Sequence, residues 1–265
     1  MASTTDDQSA RVAIVTGAGR RIGNVIARRL AAGGYRVALH SNTSLEAAQR
    51  SADELSRSCS QCIAVGCDLR DETATRAMIR HVHQHFGRID ALINSAAIWK
   101  PKPLELVTAD DVRQHFEINA LATFVCCQEA GLFMASQPSG GAIVNIGDWA
   151  IVRPYLNYLA YFVSKGGIPA MTRGFAVELA RRNPRVRVNA ILPGPVLLPL
   201  DLPEVERQAA IDATLVRREG TPENVAHAVV FLLENDFVTG VCLPVDGGRS
   251  IFSGAYEIAH GEALG

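Results

Sequence analysis

The chain has 265 residues, of which 48% are hydrophobic, and its formal net charge is −1. A chain of this length and apolar content can bury a full core, so one large α/β domain is expected. The charge balance offers no basic surface for nucleic acid or a membrane, and no apolar run reaches the roughly 18–20 residues that span a bilayer. The polar, acidic start MASTTDDQSA resembles neither a signal peptide nor a transit peptide, so we expect a cytoplasmic protein.

Apolar segments typical of buried strands alternate with helical segments along the chain. After a tail of residues 1–10, expected to be disordered, RVAIVTG predicts a strand that ends in a glycine turn, and residues 20–34 predict a helix. Further strands are predicted at YRVALH, CIAVGCD, DALINSAA, AIVNI, VRVNAIL and GVCLPVD, and helices at residues 45–56, 71–86, 109–119, 121–136, 159–182 and 222–234. This alternation predicts a single-domain, doubly wound parallel sheet of about seven strands over residues 11–249, with helices on both faces.

The first strand leads into TGAGRRIG, a turn suited to a phosphate-bearing cofactor. Glycine lets the backbone approach a pyrophosphate, and the start of the next helix supplies N–H groups and positive potential. The turn predicts cofactor contacts at Gly17, Arg20, Arg21 and Ile22. A glycine turn without a ligand is the alternative interpretation.

The end of the second strand indicates which nicotinamide cofactor is bound. A carboxylate there would hydrogen-bond the ribose of NAD and repel a 2′-phosphate, but the chain has none before Glu46. Neutral donors, with Arg20 and Arg21 nearby, favour NADP(H) over NAD(H). The residues expected to contact the cofactor there are His40, Asn42, Thr43 and Ser44.

Tyr161 and Lys165 are four residues apart and share one face of the helix predicted from residue 159. Because positive charge favours phenolate, the ammonium is expected to lower the pKa of the phenol towards the range of a general acid. Asp148 follows a predicted strand, thirteen residues before Tyr161. A strand end, a loop and a helix start can bring these three side chains into one cleft.

Several motifs occur in a fixed order: TGAGRRIG, Cys67–Asp68, INSAA, Asn119, YFVSK, PGPV and TGVCLPVDGG. Together they resemble the short-chain dehydrogenase/reductase family over residues 11–249. The resemblance implies an NAD(P)(H)-dependent oxidoreductase with a Rossmann fold that acts on a small molecule. It also implies an oligomer, and we expect a homotetramer.

The resemblance also assigns roles to residues of this chain. Tyr161 would donate or accept the proton, and Lys165 would lower the pKa of Tyr161 and hold the nicotinamide ribose. Asn119 would support a helix kink and a water-mediated proton path, while Asp68 would contact the adenine and Asn94 would line the cofactor groove. The other cofactor contacts implied by the motifs are Leu69, Ser95, Ala96, Pro193, Gly194 and Val196.

The chain departs from the family pattern at three positions, and at these positions it resembles the pteridine reductases. Asp148 stands where serine is usual, Arg21 replaces the middle glycine of the first turn, and NSAA is followed by Ile98 and Trp99. An ionised carboxylate cannot donate to a ketone oxygen, but it can accept hydrogen bonds from the N–H and amino groups of a pterin. Trp99 would stack on the flat ring, and Arg21 would face ring acceptors or the cofactor pyrophosphate.

We therefore predict an NADPH-dependent reductase of a pteridine ring, of the dihydropterin or dihydrofolate type, with substrate contacts at Arg21, Trp99, Asp148 and Tyr161. The residues leave alternatives open: Asp148 as a turn cap or partner of Lys165, Trp99 as packing, and Arg21 as a surface cation. A carbonyl or 3-oxoacyl-type reductase of the same family, acting on another ketone or imine, is the second enzyme hypothesis. An NADP(H)-binding protein without turnover is the third. The sequence does not separate biopterin-like from folate substrates.

Two further segments carry predictions. The proline-rich residues 196–218 are expected to form a lid that excludes water over a flat ring. For the tail of residues 250–265 the hypotheses are contact with a neighbouring subunit's site or disorder. Cys59 and Cys62 form a Cys-x-x-Cys without a second pair, so no metal site is predicted.

Overall fold

Seven parallel strands form one sheet at the centre of the computed structural model, which describes residues 10–252. The strands are β1 (Val12–Val15), β2 (Arg36–His40), β3 (Cys62–Val65), β4 (Ala91–Asn94), β5 (Gly141–Ile146), β6 (Val186–Pro193) and β7 (Cys242–Val245). Their order is β3-β2-β1-β4-β5-β6-β7, and every neighbouring pair is parallel. This confirms the predicted doubly wound sheet. The tails at residues 1–9 and 253–265 lie outside the described residues, so the hypotheses about them stay predictions.

Helices cover both faces of the sheet because the strands are apolar on both faces. Val12 and Ile14 of β1 join one buried cluster, and Ala13 and Val15 join the other. The helices are α1 (Arg21–Ala32), α2 (Leu45–Ser58), α3 (Glu72–Phe86), α4 (Ala109–Phe116), α5 (Ala122–Ser136), α6 (Leu159–Lys165), α7 (Gly167–Ala180), α8 (Glu204–Asp212) and α9 (Pro222–Glu234). Helices α1 and α9 pack together, as do α3 and α5. Burying each large aliphatic side chain contributes about 1.5–3 kcal/mol.

The two helices predicted at residues 109–119 and 121–136 are one helical run in the structure. A π-helical turn at Glu117–Leu121 joins α4 to α5 without a break, so the predicted interruption is wrong. The run of 28 residues is long and apolar enough to cross a membrane, yet 61% of its most apolar window is buried in the protein, as is usual for a core helix. The prediction that no segment reaches this length and apolarity therefore needs correction.

The helix predicted over residues 159–182 is interrupted at Gly166, between α6 and α7. Pro169 has no backbone N–H to donate to the carbonyl of Lys165, so the helical ladder cannot continue through this point. The interruption lies directly after Lys165 and leaves Tyr161 and Lys165 together on the short helix α6.

All six cysteines lie within the described residues, and all are free thiols. Cys126 and Cys127 are buried in α5, where loss of hydration raises the pKa of both thiols, that of Cys127 to about 12. Burial also raises the pKa of Cys62, whereas Cys59, just before β3, is exposed. The Cys-x-x-Cys is therefore one exposed and one buried thiol at the sheet edge.

Candidate active site and cofactor cleft

A cleft of about 1080 Å³ opens along the carboxyl ends of the strands. In a doubly wound sheet, ligands bind where the strand order reverses, here between β1 and β4. The walls of the cleft come from the first glycine turn, the ends of β2, β4, β5 and β6, the segment before α6, and the predicted lid. The topology thus brings most of the sequence-predicted cofactor and substrate residues to one edge.

The glycine turn packs the cofactor end of the cleft tightly. Gly17 has φ +66°, and a Cβ there would lie 2.8 Å from Cα of Ala96. A Cβ on Gly23 would lie 2.4 Å from the carbonyl oxygen of Gly17. No side chain caps α1, because Arg20 at its N-cap makes no such hydrogen bond. The first N–H groups of α1 are therefore available to a pyrophosphate.

Arg21 reaches from this turn to the opposite wall of the cleft. Its guanidinium Nη2 donates to the carbonyl oxygen of Leu197 at 3.1 Å. Both residues have left-handed backbone conformations, with φ of 56° at Arg21 and 54° at Leu197. Arg21 lines the cleft as predicted, and it contacts the lid, which the sequence did not indicate.

His40 lines the cleft at the end of β2, but both of its ring nitrogens are engaged within the protein. The backbone N–H of Gly17 donates to Nδ1 at 3.4 Å, and Nε2 lies 3.1 Å from the carbonyl oxygen of Cys67. Burial lowers the pKa of His40, which keeps the ring neutral. The ring nitrogens therefore brace the turn, and contact of His40 with the cofactor stays a prediction.

Ser44 is not among the residues that line the cleft. Its backbone N–H donates to the hydroxyl of Ser41 at 3.1 Å, and the residue is the N-cap of α2. Asn42 and Thr43 are exposed and do line the cleft, as does Arg20. These three residues therefore lie where the sequence predicts contact with the cofactor.

The side chain of Asn94 lies behind the cleft, so the prediction that it lines the cofactor groove is wrong. Asn94 is opposite Asn145 in the register of β4 and β5, and its Nδ2 donates to Oδ1 of Asn145 at 2.9 Å. The same Nδ2 contacts Sγ of Cys127 at 3.2 Å. An inward-facing amide needs such partners, and the strand alternation directs it there.

The residues after β4 and β3 lie where the sequence predicted. Ser95 and Ala96 line the cleft, and their N–H groups donate to Oγ1 of Thr16 at 3.0 and 3.1 Å. Asp68 and Leu69 line it as well. The Asp68 carboxylate forms a salt bridge to the guanidinium of Arg70, which holds the pKa of Asp68 below its usual range.

Tyr161 and Asp148 form the central contact of the substrate end. The hydroxyl of Tyr161 donates to Oδ2 of Asp148 at 2.6 Å, and the N–H of Ala150 donates to Oδ1 at 2.8 Å. Lys165 is buried, and its Nζ donates to the carbonyl oxygen of Ile146 at 2.7 Å. The predicted meeting of Tyr161, Lys165 and Asp148 in one cleft is confirmed, with Asp148 serving also as a turn cap.

The electrostatics of these three groups differ from the prediction. Burial, and then the Asp148 carboxylate, raise the pKa of Tyr161 well above its ordinary value. Burial raises the pKa of Asp148 and lowers that of Lys165 to about 8. The expected lowering of the Tyr161 pKa by Lys165 is therefore not present in this structure, because burial and a like charge outweigh it. Tyr161 is a protonated hydrogen-bond donor at neutral pH.

Asn119 is fully buried in the π-helical turn and does not line the cleft. Its Oδ1 accepts from the N–H of Ile98 at 2.8 Å, and its Nδ2 donates to the carbonyl of Ile98 at 2.9 Å and to Oγ of Ser164 at 3.0 Å. It thus joins the irregular turn, the loop after β4 and α6. Asn119 thus lies in a π-helical turn where the resemblance implied a helix kink, and its support of a kink and its place in a proton path stay predictions.

Trp99 forms an aromatic wall of the cleft with Tyr155 and Tyr158, and of these three residues the sequence analysis predicted only Trp99. Its indole ring stacks on Tyr158, with centroids 4.5 Å apart and planes at 15°, and its Nε1 donates to the hydroxyl of Tyr155 at 2.9 Å. Tyr155 and Tyr158 also line the cleft. Their spacing in YLNYLAY, three residues apart and three before Tyr161, is the signal that could have identified them.

The predicted lid forms the outer wall of the cleft and contains α8. Pro193, Gly194 and Val196 line the cleft at its base. Glu219 secures the lid, because its Oε1 accepts from the N–H of Leu198 at 2.7 Å and its Oε2 pairs with Nη1 of Arg207 at 2.9 Å. The segment is therefore held by specific contacts over the substrate end.

Arg249, after β7, lines the substrate end and was not predicted. Its guanidinium carbon lies 4.8 Å from the centroid of Trp149. Nη1 of Arg153 donates to the backbone carbonyls of Arg249 and Phe252. Arg249 thus brings the segment directly after β7 to the cleft, and no short motif signals this.

Residues 17–250 match the family model described as enoyl-(acyl carrier protein) reductase. The chain is 34% identical over 243 residues to the human (Homo sapiens) 3-oxoacyl-[acyl-carrier-protein] reductase, covering 91% of this chain and 98% of that protein. It is 33% identical over 241 residues to carbonyl reductase family member 4 of Xenopus tropicalis, with the same coverage.

Among solved structures, the chain is similar to a blue fluorescent protein from a metagenomic library, crystallised in complex with NADPH. The TM-score is 0.83 and the identity 34%, and the match covers 91% of this chain and 98% of the other. These matches agree with the order of the motifs, the parallel sheet and the Tyr161–Lys165 cleft. The chain belongs to the short-chain dehydrogenase/reductase family of nicotinamide-cofactor oxidoreductases.

Proposed function

We propose that this protein is an NADPH-dependent reductase that acts on a C=N bond of a pteridine ring. The observation that carries the proposal is the Asp148 carboxylate, hydrogen-bonded to Tyr161 at 2.6 Å where a serine is usual in the family. An ionised carboxylate accepts hydrogen bonds and cannot donate them, so it suits a substrate that presents N–H and amino donors.

The cleft supports a phosphorylated nicotinamide cofactor. The N–H groups at the start of α1 and the glycine turn would hold the pyrophosphate, and Arg20, Asn42 and Thr43 would hold the ribose phosphate. No carboxylate lies among the residues that line the end of β2 in the cleft. NADPH is the cofactor in the solved relative, and we infer the same for this chain.

NADPH, when bound, would supply a hydride to the carbon of the ring C=N. The nitrogen of that bond gains the electron pair and takes the proton from the hydroxyl of Tyr161. Asp148 orients this hydroxyl and, as a carboxylate, accepts a hydrogen bond from the ring amino group. A proton from solvent then restores the hydroxyl of Tyr161. The Lys165 ammonium would hold the nicotinamide ribose, the role that the family resemblance gives it.

The aromatic wall and the lid would hold the flat ring. Trp99 is 41% exposed, with one face covered by Tyr158, so the ring of the substrate can pack against the remaining surface of the indole. Arg21 lies across the cleft, where it can donate to ring acceptors if its contact to Leu197 opens. The lid excludes water from the hydride-transfer position.

The second candidate is a carbonyl or 3-oxoacyl-type reductase, which the names of the two curated relatives favour. Identity of about one third shares the family but leaves the substrate open, because fold and cofactor site serve many substrates. Tyr161 can donate to a carbonyl oxygen, and Asp148 can do so only when protonated.

The test is a substrate panel with purified protein, followed by the loss of NADPH absorbance. Dihydrobiopterin, dihydrofolate, an acetoacetyl thioester and simple ketones are compared, each with NADPH and with NADH. We expect turnover of the pterins with NADPH, and none in a Tyr161→Phe control. Turnover of the thioester or ketones alone would establish the second candidate and return Asp148 to a structural role. NADPH binding without any turnover would establish a cofactor-binding protein.

A further inference from the structure

Tyr155 lines the substrate end of the cleft, and its phenol ring is held by other aromatic side chains. The ring packs edge to face on Phe162 and Tyr158, with centroids 4.9 and 5.1 Å away and planes at 78° and 76°. Trp149 lies 6.5 Å from it, and Nε1 of Trp99 donates to the hydroxyl oxygen at 2.9 Å. These contacts fix the plane of the phenol and the position of its oxygen. The hydroxyl is therefore preorganised at the wall of the cleft.

The hydroxyl of Tyr155 has a hydrogen that it can donate to a ligand. Its oxygen accepts from Trp99, and among residues 10–252 the hydrogen has no acceptor. Tyr155 is 36% exposed, so solvent or a ligand can take this hydrogen. A hydroxyl whose oxygen already accepts a hydrogen bond is polarised and becomes a stronger donor. The cleft thus contains a second tyrosine donor besides Tyr161, whose own hydroxyl is engaged by Asp148.

This second donor lies near the carboxylate of Asp148. Burial, and then the negative charge of Asp148, raise the pKa of Tyr155, whereas burial alone raises the pKa of Tyr158. Tyr155 in turn contributes to the raised pKa of Tyr161. Both hydroxyls and the carboxylate therefore belong to one part of the cleft, and Tyr155 stays protonated at neutral pH. Because a carboxylate can only accept and this hydroxyl can donate, Asp148 and Tyr155 together present an acceptor and a donor to a ligand.

We propose that Tyr155 determines substrate specificity by donating to a carbonyl oxygen of the substrate ring, while Asp148 accepts from an amino or N–H group of the same ring. The ligand class that fits both residues is a flat ring whose edge carries an amino group and a carbonyl group, as the edge of a pterin does. A ring with amino groups at both places offers Tyr155 a donor instead of an acceptor and loses this hydrogen bond. The assignment rests on the proposed function and defines which ring edge the cleft selects.

The binding experiment uses calorimetry on the complex with NADP+, which has no hydride to transfer. It compares pterin with diaminopteridine, in which an amino group replaces the carbonyl. Tyr155→Phe removes only the hydroxyl, and we expect its affinity for pterin to fall about fivefold, the effect of one hydrogen bond, with no change for diaminopteridine. A ring displaced by loss of the Trp99 contact would instead weaken both ligands equally. Tyr35→Phe, the same change in a tyrosine that does not line the cleft, is the matched control.

Kinetic measurements separate this assignment from the proposed function. With dihydrobiopterin and NADPH, Tyr155→Phe should raise KM about fivefold and leave kcat unchanged, because a bond held equally in the ground and transition states affects binding alone. Equal losses of affinity for both ligands, or no loss for either, would overturn the assignment, while pterin turnover would uphold the proposed function. A loss of affinity for pterin alone in a protein that reduces no pterin would reject the proposed function and retain the role of Tyr155. Absence of any pteridine binding would overturn both.

Discussion

Asp148 and Tyr161 share one hydrogen bond that separates two kinds of reductase chemistry. A hydroxyl at position 148 would donate to a carbonyl oxygen, whereas a carboxylate can only accept hydrogen bonds, as it does here from Tyr161. The spacing of Asp148, Tyr161 and Lys165 was sufficient to predict their meeting, because strand ends and helix faces are readable in sequence. The spacing did not predict their pKa values, because the burial of each group depends on the whole fold.

The first prediction concerns Asp148→Ser. We expect kcat/KM for dihydropterins to fall about a hundredfold, the usual size of one acid–base group, while ketone turnover stays level or rises. Steady-state kinetics with both substrate classes measure the change, and Asp148→Asn separates charge from shape. Full retention of pterin turnover in the serine variant would show that the carboxylate is only a cap for Ala150.

The second prediction concerns the pH dependence of stability. Burial lowers the pKa of Lys165 from 10.5 to about 8 in the folded protein, so between these values the unfolded chain binds more protons. The free energy of unfolding contributed by this group therefore rises with pH across that window, by about 3 kcal/mol in total. Below pH 8 the buried ammonium reduces stability.

Urea unfolding of the wild type and Lys165→Met at several pH values, without cofactor, measures this contribution. The wild type should gain stability relative to the variant between pH 8 and 10.5. A difference that is constant with pH would mean that the lysine is not desolvated as the structure indicates.

At the scale of elements, the lid and the long helical run show which features sequence patterns do not predict. Prolines and leucines predicted a lid, but only the structure shows that Glu219 secures it through Leu198 and Arg207. Hydrophobic periodicity predicted two helices where a π-helical turn joins them, because the extra residue depends on the partners of Asn119. Asn94 was misplaced for a similar reason, since its partner Asn145 is on another strand.

The third prediction concerns Glu219→Ala. Loss of both contacts should loosen the lid, so trypsin cleavage at Arg217 or Arg218 is expected to accelerate about tenfold, as one charge-assisted hydrogen bond implies. NADPH with a bound pterin should slow cleavage in the wild type. Asp201→Ala, an exposed lid residue, is the control. Equal cleavage rates in the two variants would show that the lid is held by other contacts.

At the scale of the whole molecule, composition and the alternation of strands and helices were enough to predict the sheet and its single domain. The residues themselves did not predict the oligomeric state, because only the family resemblance suggested a homotetramer. The long helical run carries an exposed apolar face, formed by Phe116, Leu121, Phe124 and Leu132, which are 40–49% exposed. We propose that this face contacts a second copy of the chain.

The fourth prediction concerns Phe124→Asp. A charge in a buried subunit contact is unfavourable, so the proposed homotetramer should separate into smaller species, as measured by light scattering after size-exclusion chromatography. Leu45→Asp is the control, since Leu45 is 43% exposed at the start of α2. The same mass for both variants and the wild type would show that the apolar face does not contribute to the assembly.

The distribution of the six thiols gives the protein a natural attachment point for a reporter. Cys59 alone among them is exposed, and it precedes β3 at the amino end of the sheet, opposite the catalytic edge. A maleimide dye should therefore react mainly at one position, because burial raises the pKa of the other five thiols, that of the partly exposed Cys67 to about 11, and suppresses their thiolates. A label attached at Cys59 would therefore leave the cofactor cleft open, without an engineered cysteine.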